Sequence, residues 1–293
     1  MKIRSGFLAI FFVAMIYGFF GVVVRFSSEA FGAYTQTVLR GVVAVIAAAL
    51  IAKFSRSNLS IGLKPLLLVA LQGTVFLIST IAFTYAVETV KISVAVFMIY
   101  VGSMTTSFFL GIFFFKEKIN LTSIVSLLVV ILGLLFTVQF NLTGLSIGAL
   151  LGILCGVTDS FNNGLAKYLG NENKNTVSFY KFLFLSLVGL LGIFLIGETP
   201  FLVISPLAVA ATVVFGLSLI LVNNLLMIGF KKFDISLGQV VLSSEIFFSI
   251  FFGIIFFAEM PVWYELIGAV LIFSGASIAN FDLDKIWQKI IKK

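Results

Sequence analysis

The chain has 293 residues, 61% of them apolar and only 11% charged, where a soluble domain carries roughly a quarter charged residues. That excludes an ordinary soluble globule. The net charge of +7 does not indicate nucleic acid either, because the basic residues fall in short connections between apolar runs and do not gather on one solvated face.

Apolar runs bounded by charge, Asn, Gly or Pro predict ten spans, near 6–25, 34–52, 65–87, 92–115, 120–139, 146–167, 177–197, 206–230, 235–258 and 263–281. At ~20 residues per span they leave short loops and no room for a separate soluble domain. Helices are expected, since in hydrocarbon each run must satisfy its own backbone polar groups. Alternating barrel strands are not seen. The first run follows Lys2 and Arg4 but exceeds a signal core and lacks a small-residue cleavage site, so it reads as a retained span. After the last span, Ile286, Trp287, Ile290 and Ile291 recur at helical spacing among Lys285, Lys289, Lys292 and Lys293. This predicts a basic interfacial tail over 282–293.

Basic residues give the orientation. With the N-terminus in the cytoplasm, 16 of the 19 Lys and Arg lie on the inner side, Lys181 among them near the inner boundary, where it would snorkel to the interface. Arg25 and Lys91 lie outside, and Arg40 lies within a span. Both termini are expected to be cytoplasmic, in a cell (plasma or inner) membrane.

An offset of 142 places Gly6 on Gly148, Arg25 on Lys167, Glu117 on Glu259 and Gly133 on Gly275. Lys91-Ile92-Ser93 matches Asp234-Ile235-Ser236 after a one-residue gap. Five spans per unit is odd, so the second unit must enter from the opposite side, and loop charge is exchanged accordingly. Lys116 and Lys118 correspond to Ala258 and Met260, and Glu88 has Lys231 and Lys232 as its inner counterpart. The expected fold is an all-α integral membrane protein of ten transmembrane helices, built as two inverted five-helix repeats, 1–140 and 141–281. Inverted repeats are a recurring construction of secondary transporters.

The segments Glu88 to Phe97, Phe108 to Ile119 and Leu127 to Phe136 resemble the end of an EamA-type domain, and Lys232 to Glu259 with Ile267 to Gly275 repeats the pattern. Over its whole length the chain is similar to ten-helix members of the drug/metabolite transporter superfamily, and Arg40 in the second span suits that family. The resemblance implies a bacterial-type inner-membrane carrier, commonly an exporter of amino acids or related metabolites, with a central cavity between the repeats. The family pattern often has Pro in the fourth and ninth spans, where this chain has Met104 and Ile246. The Glu often preceding that Pro is kept as Glu245 but is Ser103 in the first half, so the halves are chemically unequal at that level.

Intramembrane charge costs ~2.5–3.5 kcal/mol on insertion scales and therefore faces a cavity or a partner. Arg40, Asp159 and Glu245 are the candidates. Asn162 and Asn163 follow Asp159 at i+3 and i+4, on one helical face. Either acid could bind an ammonium group or a coupling proton, while the structural alternative is a fixed Arg40–Glu245 ion pair. Tyr17, Gln72, Tyr100, Asn223 and Asn224 could line a pathway, or join helices at ~0.6 kcal/mol each. The abundant Phe reads as lipid-facing or packing surface. Gly148, Gly152, Gly156, Ser160 and Gly164 form a small-residue seam.

Taken together these features predict a secondary active transporter of a small-molecule substrate working by alternating access, with protons as a candidate coupling ion. Efflux of hydrophobic cations, or a non-transporting scaffold or channel, is the alternative. No Walker sequence is present. With no His and one cysteine, Cys155, neither a metal site nor a cofactor is expected, and no clustered nucleophile and base suggest an enzyme.

Overall fold

The computed structural model describes residues 2–118, 120–137, 146–200 and 205–279; the expected tail over 282–293 lies outside them. Among the described residues eleven helical segments follow one another: α1 (Lys2–Ser28), α2 (Ala33–Phe54), α3 (Leu63–Thr89), α4 (Ile92–Phe113), α5 (Leu121–Thr137), α6 (Ile147–Tyr168), α7 (Lys174–Ile196), α8 (Pro206–Phe230), α9 (Ile235–Leu242), α10 (Glu245–Phe257) and α11 (Trp263–Ile278). Among the described residues seven helices, α9 and α10 taken as one, are long and apolar enough to cross a membrane; α5 and α11 are apolar but shorter. The stretch expected as a sixth span forms α6, a helix that buries a polar face of Ser160, Asn162 and Asn163.

Polarity is distributed inside out, as lipid demands. Phe54, Phe194, Leu195 and Ile147 stand exposed, whereas Arg40, Lys181 and Gln72 are buried. Helix ends are closed locally. Ser146, Asn173 and Ser205 accept hydrogen bonds from the first-turn amides of α6, α7 and α8. Glu198, beyond α7, instead accepts from Tyr34 N and Thr35 N at the start of α2.

The helices pack mainly across the two repeats. Helix α1 lies against α8 and α9–α10, as α6 lies against α3 and α4; α2 packs on α7 and α8, as α7 packs on α2 and α3; α5 packs on α11. Exchanging the repeats leaves this pattern unchanged, which is the mark of a pseudo-two-fold. The related helices run antiparallel: Lys232 Nζ donates to Ser5 Oγ where α1 begins, and Gly170, just after α6 ends, lies against Lys231.

Two details carry the repeat into the backbone. Lys116 and Ala258, 142 residues apart, both take φ 52°, a left-handed conformation that a non-glycine residue adopts only when its surroundings hold it there. The next residue's amide then reaches back six residues, Glu117 N to Gly111 O (2.9 Å) and Glu259 N to Gly253 O (3.2 Å). The small-residue seam of α6 lies on α4, with Gly156 against Ile99 O and Ser103 N, and Ser160 Oγ donating to Ser103 O at 2.7 Å.

Candidate functional site, a cavity between the repeats

The span expected to run unbroken over 235–258 is interrupted at its middle. Ser243 Oγ and Ser244 Oγ donate to Val240 O and Val241 O, both at 2.7 Å, competing with the helical ladder and bending it. Leu242 O is freed and accepts from Tyr100 of α4 at 2.7 Å. Glu245 opens α10 directly after the break, and its Oε2 lies 2.5 Å from Tyr100 Oη, so Leu242 O and the carboxylate share the one phenolic proton. Leu242 is Tyr100's counterpart in the repeat, so this bond joins related positions across the pseudo-two-fold.

Behind Glu245 lies a cavity with about 60 Å³ of free volume, walled by both repeats. Asp159 and Glu245 supply its acids; Tyr17, Tyr100, Ser79, Thr80, Ser103 and Cys155 supply hydroxyls and a thiol; Phe20, Phe76, Phe83, Ile99 and Phe215 supply apolar wall. Asp159 accepts from Asn163 Nδ2 at 3.0 Å and more weakly from Asn162 Nδ2 at 3.4 Å. Among the described residues Tyr17 Oη and Ser103 Oγ are buried with no hydrogen-bond partner, and a buried polar group left unmatched is costly. Both therefore point to a polar occupant.

The two buried cations stay outside this space. Arg40 Cζ sits 4.1 Å from the centroid of the Phe215 ring, and Phe20 stacks on that ring with centroids 3.9 Å apart. Both cannot occupy one face, so Phe215 separates Arg40 from Phe20 and the cavity. Lys181 Nζ lies 4.1 Å over Phe76 and donates to Asn223 Oδ1 at 3.0 Å. A desolvated cation over a ring gains ~2 kcal/mol. Arg40 on α2 facing α8 and Lys181 on α7 facing α3 are counterparts in the pseudo-two-fold.

Two family-model matches cover the chain, over residues 4–139 and 146–281, both to the EamA-like transporter family. The chain belongs to the EamA-like transporter family. A solved structure described only as "Crystal structure of protein" is similar to this EamA-like chain in fold, with a TM-score of 0.78 at 17% identity over 94% of this chain and 98% of the other. No curated protein matches the sequence.

Of the residues singled out from the sequence, Glu245, Asp159, Tyr17 and Tyr100 line the cavity of this EamA-like protein. Asn162 and Asn163 hold Asp159 from behind. Arg40 does not pair with Glu245; its guanidinium donates to Gln36 Oε1, and among the described residues Nε and Nη1 have no hydrogen-bond partner. Gln72 donates to Asn162 O at 3.2 Å, joining α3 to α6. Asn223 and Asn224 bond Ser178, joining α8 to α7. Lys181 does not snorkel: it is buried, because Asn223 and Phe76 give it a better partner inside than the interface could. The Phe walls were not recognisable, since residue type alone does not tell a cavity-facing Phe from a lipid-facing one, whereas Ser103 lines the cavity as the counterpart of Glu245.

Proposed function

We propose that this EamA-like protein is a secondary carrier whose ten spans form two inverted halves, both termini in the cytoplasm of a cell membrane, and that it exports a small amine-bearing metabolite by alternating access. The observation that carries this reading is the cavity: two carboxylates and two unmatched hydroxyls among aromatic walls, with Arg40 behind the Phe215 ring and Lys181 held by Phe76 and Asn223. A monocation with an apolar body fits that lining, the ammonium between Asp159 and Glu245 and the body against Phe20, Phe76 and Phe83. Lipophilic cations therefore fit better than zwitterionic amino acids, whose carboxylate would need Arg40 to turn past the Phe215 ring or Lys181 to leave Asn223. Either acid can also take a proton when the amine leaves, which would couple export to a proton gradient.

A matched pair tests the reading. In proteoliposomes, phenethylamine should show saturable counterflow, and phenylalanine, which adds only a carboxylate, should show far less. Preferred exchange of phenylalanine would restore the amino-acid reading. Flux without counterflow would make the protein a channel, and no flux a scaffold.

A further inference from the structure

Resting on that carrier reading, we propose that Glu117 and Glu259 are paired latches, each closing one end of the protein by docking on the first turn of a helix in the other repeat. Glu117 docks on α9, Glu259 on α4, and the docked latch fixes which end is shut.

The two glutamates are equivalent in the repeat and are presented in the same way. Each follows a left-handed residue, Lys116 or Ala258, and each folds back over a glycine, Gly111 or Gly253. A Cβ added at Gly111 would lie 2.6 Å from Glu117 Oε2, so only glycine leaves room for that carboxylate. Each also meets a cation that is itself a repeat equivalent: Lys167 Nζ reaches Glu117 at 2.7 Å, and Arg25 Nη1 reaches Glu259 at 2.5 Å. All four residues bridge the repeats, and the two pairs sit at opposite ends.

The two latches are not in the same state. Glu117 Oε1 accepts from Ile235 N at 2.6 Å, and its Oε2 accepts from Ser236 N at 3.2 Å and Ser236 Oγ at 2.6 Å. Lys167 is tied further, to Phe233 O at 3.1 Å. These are charge-assisted bonds at a helix N-terminus, which favours an anion. Glu259 accepts only from Arg25 among the described residues. The counterpart of its seat is Ile92-Ser93, and there a space of about 220 Å³ opens between Lys91, Ile92, Glu259 and Met260. Side-chain exposure differs accordingly, 6% for Glu117 against 38% for Glu259. This conformation is bolted at the Glu117 end and unlatched at the Glu259 end. Reversal would seat Glu259 on α4 and release Glu117 from α9.

The test reads accessibility and needs no substrate. Thr80→Cys in a Cys155→Ser background places one thiol in the cavity, to be labelled by an impermeant maleimide from either face of oriented vesicles. Glu117→Gln should raise labelling from the Glu117 side about ten-fold, the change expected from losing one charge-assisted bond. Lys167→Met should shift it the same way by less, and Glu259→Gln should not. An unchanged ratio in folded Glu117→Gln protein overturns the proposal. If that variant does not fold, Ser236→Ala must shift the ratio, and its failure to do so is equally decisive. A protein that shows these shifts but no counterflow loses the carrier reading and keeps the latches.

Discussion

Helix α4 and the rod formed by α9 and α10 descend from one sequence pattern, yet they meet the cavity differently. Helix α4 runs unbroken past Ser103 and Met104. Its counterpart stops at Leu242, turns through Ser243 and Ser244, and restarts on Glu245. Ser103 and Glu245 are equivalent positions, and both line the cavity. Two glutamates there would set like charges across the pseudo-two-fold in a low dielectric, each opposing the other's ionisation. With Ser103 opposite, Glu245 has Tyr100 as its hydrogen-bond partner and shares the cavity with one other acid, Asp159. Duplication supplies two copies of a scaffold; divergence at one pair of positions places the charge on one of them.

The comparison breaks most sharply at Glu245 itself. Glu245→Gln should cut phenethylamine exchange by roughly ten- to a hundred-fold, as expected for a lost charge-assisted contact, and remove its pH dependence, while Ser103→Ala, which removes an uncharged hydroxyl, should lower exchange by less and keep its pH dependence; initial rates across pH check both. Straightening the broken rod comes next. The double variant Ser243→Ala/Ser244→Ala removes the two hydroxyls that compete with the helix, and exchange should fall several-fold with the fold retained. Tyr100→Phe keeps the ring but not the bonds to Glu245 and Leu242; a rise of about three- to ten-fold in KM is expected, with kcat less affected.

The smallest effect lies where the two helices start. Helix α4 begins after Lys91 and α9 after Asp234. Burial, and then the neighbouring Glu117, hold Asp234 above the usual carboxylate range, against the pull of Lys167. A raised carboxylate pKa in the folded protein means that the ionised form costs stability at neutral pH and the protonated form does not. Asp234→Asn should therefore raise the melting temperature slightly at pH 7, and the gain should vanish as pH falls through the range in which Asp234 takes up its proton. Thermal unfolding in detergent at several pH values checks this.

Much of this was legible in the chain because lipid leaves few options. Apolar runs placed nearly every helix to within a few residues, since each run must satisfy its own backbone. The 142-residue offset exposed the duplication, and the cost of intramembrane charge picked out Asp159 and Glu245. The break at Ser243–Ser244 was not legible from the hydropathy of the run, which is uninterrupted; the signal lay in two adjacent serines before an acid. The directions of Arg40 and Lys181 were not legible either, because one helical turn decides whether a cation faces a cavity or the back of a ring. The latches were half visible: the offset aligned Arg25 with Lys167 and Glu117 with Glu259, but only the antiparallel packing shows that each cation pairs with the acid of the other repeat.

Sidedness of the two repeats is the most direct test, because the shared cavity exists only if the halves enter the membrane from opposite faces. Single cysteines at positions 142 and 293, each in a Cys155→Ser background, can be labelled in intact cells and in inverted vesicles with an impermeant maleimide. Position 142 should react from outside and position 293 only from the cytoplasmic side; labelling of both from one face would contradict the inversion and the carrier built on it.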